Sequence, residues 1–251
     1  MADLEKECRW HFGPESLKQA DVLAAMAQMF NDKPYNSLVR EAIQNSLDAV
    51  LNENHPVKVS FTFGSFPVSE FTNFFTLNEH IKAVSKYFSD QDKYKTQYEE
   101  MYKCLEHSAS ADSINFIRVS DYNAKGMNYD ASKSTSPFDS FVRAAGVAGH
   151  EDNSTGGAFG FGHSAYFQLS PYRTVLVSTL TKDDEYLFEG TVNIGSHMGK
   201  DNLGNDTLLS GGCYYDNNGG KPVTDPTRIP DCFIRKNVIE DAPHESYKYG
   251  S

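Results

Sequence analysis

A glutamate, an asparagine and an aspartate recur at helical spacing within residues 40–49 of the chain. At about 100° per residue, Glu41, Asn45 and Asp48 fall within a narrow sector of one helix face. An amide oxygen and a carboxylate one turn apart can bind Mg²⁺ and orient a water molecule. This face is therefore either a site for a metal and a nucleotide or the solvated side of an amphipathic helix, with Val39, Ile43, Leu47 and Val50 on the opposite side.

A second polar group follows a predicted strand, at residues 119–127. Asp121 at a strand end can accept a hydrogen bond from a nucleobase amine, and Gly126 lets the backbone approach a base closely. The alternative is an ordinary hairpin turn, because Asp, Asn and Gly dominate turns for conformational reasons.

A third group is rich in glycine, with Gly157, Gly160 and Gly162 shortly before a predicted helix. Such a loop can direct its N–H groups toward phosphate oxygens. A flexible loop with no ligand is the alternative.

Hydrophobic periodicity and turn residues predict the elements that must position these groups. The predicted helices span residues 15–30, 35–51, 77–88 and 93–108, with short ones near 138–145 and after the glycines; the predicted strands span 57–63, 114–120, 174–179 and 186–194. Residues 182–184 are predicted to turn between the last two strands, and 196–251 are too rich in Gly, Asn and Pro to assign. One α+β domain is the simplest interpretation.

Composition excludes several classes of protein. The formal net charge of −11 argues against direct binding of nucleic acid by this domain, since a phosphate backbone requires clustered Lys and Arg. The four cysteines are too scattered for a zinc site or a disulfide framework, which favours a reducing cytoplasm. The sequence has neither a signal peptide nor a long apolar run, so no membrane segment is expected.

Taken together and in this order, the three groups resemble the motifs of the GHKL ATPase superfamily, which includes gyrase B, the ninety-kilodalton heat-shock chaperones, MutL, MORC proteins and histidine kinases. The likeness covers about residues 35–195 and is strongest to the chaperone, MutL and MORC types. It implies a Bergerat fold, an α+β two-layer sandwich in which helices cover one face of a mixed, mostly antiparallel sheet. The whole chain, 1–251, would be one ATP-binding domain.

The resemblance also implies a role for each motif residue, with ATP and Mg²⁺ as ligands. Glu41 would be the general base, Asn45 the Mg²⁺ ligand, and Asp48 a support for the helix face near the nucleotide. Asp121 would bind the adenine amine, with Gly126 and Met127 lining the base pocket. Residues 128–156 would form a lid over ATP, and a loop would wrap the phosphates, formed by Gly157, Phe159, Gly160, Phe161, Gly162 and His163.

The chain departs from the family pattern in two places. Asn123 stands where the second motif has its first glycine, with one extra residue before Gly126; Asn tolerates left-handed backbone, so the turn can survive. The last motif has two weak counterparts, Gly190-Thr191 and Gly250-Ser251, and no following domain supplies a Lys or Arg to the γ-phosphate. We therefore expect residues 1–34 to act as an N-terminal strap and 196–251 to be C-terminal strands and loops, in a fragment or a subunit that needs a partner.

The expected function is ATP binding and slow Mg²⁺-dependent hydrolysis that closes the lid and drives homodimerisation or contact with a partner subunit. A prokaryotic DNA-associated or phage-defence complex is the preferred setting. The alternative is a nucleotide sensor that binds ATP without hydrolysing it, because an arginine-type contact to the γ-phosphate contributes ~10³–10⁵ in rate. A histidine kinase is not favoured, since no helix pair with a phosphoacceptor His is evident.

Overall fold

The computed structural model describes residues 9–14, 33–71, 74–87, 92–133, 136–142, 164–200, 204–216 and 221–234. The strands are β1 (Arg9–Pro14), β2 (Lys58–Pro67), β3 (Ser113–Tyr122), β4 (Thr174–Leu180), β5 (Tyr186–Asn193), β6 (His197–Lys200) and β7 (Asp206–Asp216). The helices are α1 (Pro34–Asp48), α2 (Phe74–Tyr87), α3 (Asp92–Ser110), α4 (Pro137–Val142), α5 (Ser164–Leu169) and α6 (Asp231–Ile234). Helices combined with antiparallel strands confirm the α+β class.

Five strands form the larger sheet, in the order β1-β7-β5-β4, with β6 also paired to β7. The β4–β5 hairpin runs in register from Thr174↔Val192 to Leu180↔Tyr186, as predicted from its alternating apolar residues. In its turn, the carbonyl of Thr181 accepts a hydrogen bond from the N–H of Asp184, whose φ is 61°. The hairpin and its turn therefore follow the sequence prediction.

The β2–β3 hairpin forms a separate two-stranded sheet, in register from Lys58↔Tyr122 to Pro67↔Ser113. Every strand pair within the described residues is antiparallel, and these strands form two sheets. The prediction of one mixed sheet differs from this arrangement, because periodicity within a strand does not specify which strand lies beside it.

An aromatic cluster fills the space between β2–β3, α2 and the larger sheet. Phe71 lies at its centre, with its ring centroid 5.0 Å from that of Phe233 and 5.7 Å from that of Phe74. Helix α2 contributes buried residues at spacings of three and four, which form one apolar stripe: Phe74, Leu77, Ile81 and Val84. A second cluster packs α4 against β4 and β5 through Phe138, Val142, Val177 and Leu187.

The predicted elements agree with the described ones to within a few residues, except in three strands. Hydrophobic periodicity predicts no element in the segments that form β1, β6 and β7. The predicted helix at 15–30 lies outside the described residues. Of the strap 1–34, the structure describes residues 9–14, 33 and 34. Within the described part of the chain, no helix is both long and apolar enough to cross a membrane.

Candidate functional site

Helix α1 presents the first predicted group of polar residues along one side. Pro34 lies in its first turn, where the missing N–H breaks no helical hydrogen bond. Glu41 and Asn45 are joined by a side-chain hydrogen bond, and Asp48 is close enough to act electrostatically on Glu41. Since an ionised carboxylate can only accept, the Asn45 amide is the donor. The predicted shared face of these three residues is therefore confirmed.

The residues of α1 that are buried are not those of its apolar side. They are Leu38, Ala42 and Ser46. The apolar residues named from the sequence are exposed: Val39 (40%), Ile43 (42%) and Leu47 (58%). The helix thus packs through the narrow strip between its polar and apolar sides, and that strip brings Glu41 and Asn45 to the edge of a cavity.

The carboxyl group of Glu41 is a stronger base than that of an exposed glutamate. Burial raises its pKa, and the Asp48 charge acts in the same direction. The hydrogen bond from Asn45 and the charge of Arg40 oppose this, with smaller effects. Burial is the largest of these influences, so the pKa of Glu41 lies above its ordinary value of 4.5.

Ser46 connects helix α1 to the end of β3. Its hydroxyl donates to the Ala42 carbonyl at 2.8 Å and lies 3.0 Å from Asp121 Oδ2, as in a three-centre hydrogen bond. The side chain is only 3% exposed. Asp121 therefore lies directly beside the helix that carries Glu41 and Asn45.

Asn123 holds the irregular turn after β3 in place. It is fully buried and has a φ of 63°, in the left-handed region that was predicted for it. Its amide nitrogen donates to the carbonyls of Asn52 and His55, at 2.9 and 2.8 Å, and its amide oxygen accepts from the Asn52 N–H at 3.1 Å. The residue that departs from the family motif thus ties this turn to the loop that follows α1.

Gly126 and Met127 continue the turn against the end of β4. Gly126 has a φ of 69°, and a Cβ there would contact the Leu180 carbonyl oxygen and lie 3.0 Å from Thr179 Oγ1. The Met127 N–H donates to the same Thr179 hydroxyl at 3.0 Å. Glycine is therefore required at this position because the backbone packs closely against β4.

Tyr166 on α5 joins the group from a third part of the chain. Its hydroxyl hydrogen-bonds to Asn45, and its ring meets that of Phe141 edge to face, with centroids 5.5 Å apart. Burial raises the pKa of the hydroxyl, and the nearby charges of Glu41 and Asp121 act in the same direction. The sequence did not single out Tyr166 or Ser46; the only available signal was that each is next to a motif.

One cavity of about 1800 Å³ has the polar residues of α1, Asp121, Gly126, Met127 and Tyr166 in its wall, but not Asn123. Six of the predicted site residues line it: Glu41, Asn45, Asp48, Asp121, Gly126 and Met127. They come from two segments more than 70 residues apart, since Ser46 and Asp121 are separated by 75 positions. Ligand pockets usually measure about 300–1,000 Å³, so the space exceeds what one small ligand needs.

The remaining predicted site residues lie outside the described residues. These are Gly157, Phe159, Gly160, Phe161, Gly162 and His163, together with positions 134–135 and 143–156 of the predicted lid. The first part of that lid is packed rather than open. Phe138 is fully buried, its N–H donates to the Asn128 carbonyl at 3.2 Å, and its ring meets Tyr129. Of the two weak counterparts of the last motif, Gly190-Thr191 lies inside β5 and the other is not described.

Comparison with protein-family models, with curated proteins and with solved structures finds no match to this chain. The case for a function therefore depends on the site itself.

Proposed function

We propose that the chain binds ATP in this cavity and hydrolyses it slowly with the help of Mg²⁺. The observation that carries the proposal is the convergence of Glu41, Asn45 and Asp121 on one cavity from separate segments. Each was singled out for its chemistry before its position was known. If Asp121 belonged to an ordinary turn, and Glu41 and Asn45 to a solvated helix face, we would not expect them to line the same cavity.

The α1 side of the cavity suits the hydrolytic step. In that step a water oxygen forms a bond to the γ-phosphorus, the bond from phosphorus to the β–γ bridging oxygen breaks, and Glu41 accepts the proton that the water loses. A partly buried carboxylate with a raised pKa is a better proton acceptor than an exposed one. The hydrogen bond from Asn45 holds the carboxylate in one orientation.

The β3 side suits recognition of the base. Asp121 is oriented by Ser46 through Oδ2, and a carboxylate oriented in this way can accept from the exocyclic amine of adenine. Gly126 and Met127 form the adjoining wall. Guanine has a carbonyl at the corresponding ring position, so this wall would prefer adenine nucleotides.

The donor set fits Mg²⁺ held jointly with a nucleotide. Asn45 would supply an amide oxygen to the ion, Asp48 would support the same helix face, and Glu41 would stay free of the metal as the proton acceptor. Within the described residues no cluster of three or more His, Cys, Asp or Glu could hold a metal ion by itself. Mg²⁺ commonly uses one or two protein ligands plus substrate phosphates, and there it neutralises developing charge on the phosphoryl oxygens.

The proposal extends to the Bergerat arrangement, with the glycine loop 157–162 on the phosphates and the later part of the lid closing over them. The segment around Phe138, at the beginning of this lid, is packed against β4 and β5. Closure would then lead to homodimerisation or to contact with a partner subunit.

Calorimetric titration of ATP and ADP with Mg²⁺ tests the binding site, with wild type and Asp121→Asn compared directly. We expect wild type to bind and Asp121→Asn to lose most of its affinity. Asp206→Asn is the matched control, because Asp206 is an exposed residue paired with Lys200 and does not line the cavity. Failure of wild type to bind, or equal binding by Asp121→Asn, would refute adenine recognition at this wall.

Turnover separates an ATPase from a sensor. Glu41→Gln keeps the size of the side chain but cannot accept a proton, so it should bind ATP and release no phosphate above background. Phosphate release that is equal in wild type and Glu41→Gln would contradict the assignment of the base. Binding without turnover in wild type would instead support the nucleotide sensor.

A further inference from the structure

Arg118 lies in the middle of the buried face of the β2–β3 hairpin. Its cross-strand partner is Thr62, and its neighbours on the same face of β3 are Phe116 and Ser120. Ser120 and, farther along that face, Ile114 are buried, which identifies the face as the inner one. A permanently charged guanidinium is thus directed into the interior.

Two of the three guanidinium nitrogens of Arg118, Nε and Nη1, are shielded from solvent and have no hydrogen-bond partner in the described part of the chain. Arg118 as a whole is half-buried, so leaving these two nitrogens without a partner costs only a part of the several kcal/mol that a fully buried unpaired charge costs. The arrangement therefore points to an anion that completes it.

The cavity has room for such an anion apart from the nucleotide. Arg118 and Asp121 are three positions apart on one strand, so their side chains leave β3 on opposite faces. We call the part of the cavity on the Arg118 face of β3 its inner lobe; the wall of the cavity also includes Lys103 and His107 of α3. Aromatic side chains complete this wall: Phe66, Phe71, Phe116 and Phe233.

We propose that this inner lobe binds a small organic anion, with its charged group on Arg118 and an apolar or aromatic body against the phenylalanines. A guanidinium donates charge-assisted hydrogen bonds to carboxylate, sulfonate or phosphate oxygens, and an oxyanion beside Arg118 can accept one from Nε or from Nη1. Apolar walls with a few convergent polar groups are the usual composition of a ligand pocket. The site is independent of the proposed nucleotide site on the other face of β3.

Two matched fluorescent probes test the proposal: 8-anilinonaphthalene-1-sulfonate, and N-phenyl-1-naphthylamine, which has the same aromatic body without the charge. Wild type should prefer the sulfonate. Arg118→Met should lose that preference about tenfold or more while it still binds the neutral probe. Arg118→Lys should keep part of the preference, and Lys182→Met, which removes an exposed cation from a turn, should behave as wild type.

Thermal unfolding without any ligand distinguishes an anion site from a purely structural role of Arg118. The two roles predict changes in Tm of opposite sign for Arg118→Met. Removing an unpaired buried charge should raise the Tm of Arg118→Met by about 2–4 °C. A lower Tm, or an unchanged sulfonate preference, would overturn the proposal; if Arg118→Met does not fold, Arg118→Gln gives the same probe comparison. Displacement of the sulfonate by ATP would also overturn it, because Arg118 would then serve the nucleotide.

Discussion

A buried histidine, His197, and a half-buried one, His80, should make the stability of this protein fall as the pH drops from 7 toward 5. His197 Nδ1 lies 3.0 Å from the Gly195 carbonyl, which can only accept, so His197 carries its proton on Nδ1. His197 Nε2 must then accept from His80 Nδ1, 2.8 Å away. The Phe12 ring stacks on His80 with centroids 3.9 Å apart, so the pair joins α2, β1 and β6 as neutral rings.

The sign follows from the direction of the pKa shifts. Burial lowers the pKa of both rings, and that of His80 falls from 6.5 to about 4, with the His197 charge acting in the same direction and Glu79 weakly opposing. The folded protein therefore binds fewer protons than the unfolded chain between these values. The stabilisation is complete above pH 6.5 and is lost as the pH falls toward 4.

The size at pH 5 follows from the same values. A shift from 6.5 to about 4 corresponds there to a loss of about 2 kcal/mol in the free energy of unfolding. Solvent reaches part of the His80 ring, which reduces the expected loss to about 1 kcal/mol.

Urea unfolding of wild type and His80→Asn at pH 7.5 and pH 5 measures this loss. Asn preserves a donor near the Nδ1 position but does not titrate, so the variant should lose about 1 kcal/mol less than wild type on acidification. His55→Asn removes an exposed ring and should follow wild type. Equal losses in wild type and His80→Asn would refute the reasoning.

Further predictions concern the candidate site. Gly126→Ala should destabilise the fold by at least about 1–2 kcal/mol in urea unfolding and abolish nucleotide binding in calorimetry, because φ is 69° and the new Cβ meets backbone. Asn123→Ala should lower the free energy of unfolding by about 2–4 kcal/mol, because three hydrogen bonds are lost and alanine is strained in the left-handed region. Asn123→Gly loses the same bonds without the strain, so its loss in urea unfolding should be about 1 kcal/mol smaller. The acid limb of the pH profile of kcat/KM should lie above pH 4.5 because the pKa of Glu41 is raised in the free protein, and Asp48→Asn should move it to lower pH. Tyr166→Phe keeps the ring but loses the bond to Asn45, so kcat should fall about fivefold with the Tm unchanged within about 3 °C.

The sequence predicted correctly those elements whose hydrophobic pattern can be recognised within a single continuous segment. Helix α2 buries residues at spacings of three and four, and the β4–β5 hairpin alternates on either side of a Lys-Asp-Asp turn. Local pattern and tertiary role agree there. The strands β6 and β7 have composition closer to that of loops, and they exist through pairing, as between His197 and Leu209. Pairing between distant segments leaves little trace in either segment alone.

Helix α1 shows where helical geometry is sufficient and where it is not. The common side of Glu41, Asn45 and Asp48 follows from their spacing alone. Which strip of the helix is buried depends on what packs against it, and the buried strip contains Ser46 while the apolar side is exposed. The buried hydroxyl of Ser46 has two partners: the Ala42 carbonyl, which any helix offers, and Asp121, which only the fold brings beside it.

The contacts that would convert a set of polar residues into a site are the least predictable ones. Asn123 has a φ of 63°, and its amide makes three hydrogen bonds to the loop after α1. That loop follows the helix of Glu41, so Asn123 holds the turn after β3 beside this helix. A glycine could adopt the angle but could not make that link. Departures from a motif at buried positions are therefore best judged by what the new side chain bonds, and here it bonds the two halves of the candidate site together.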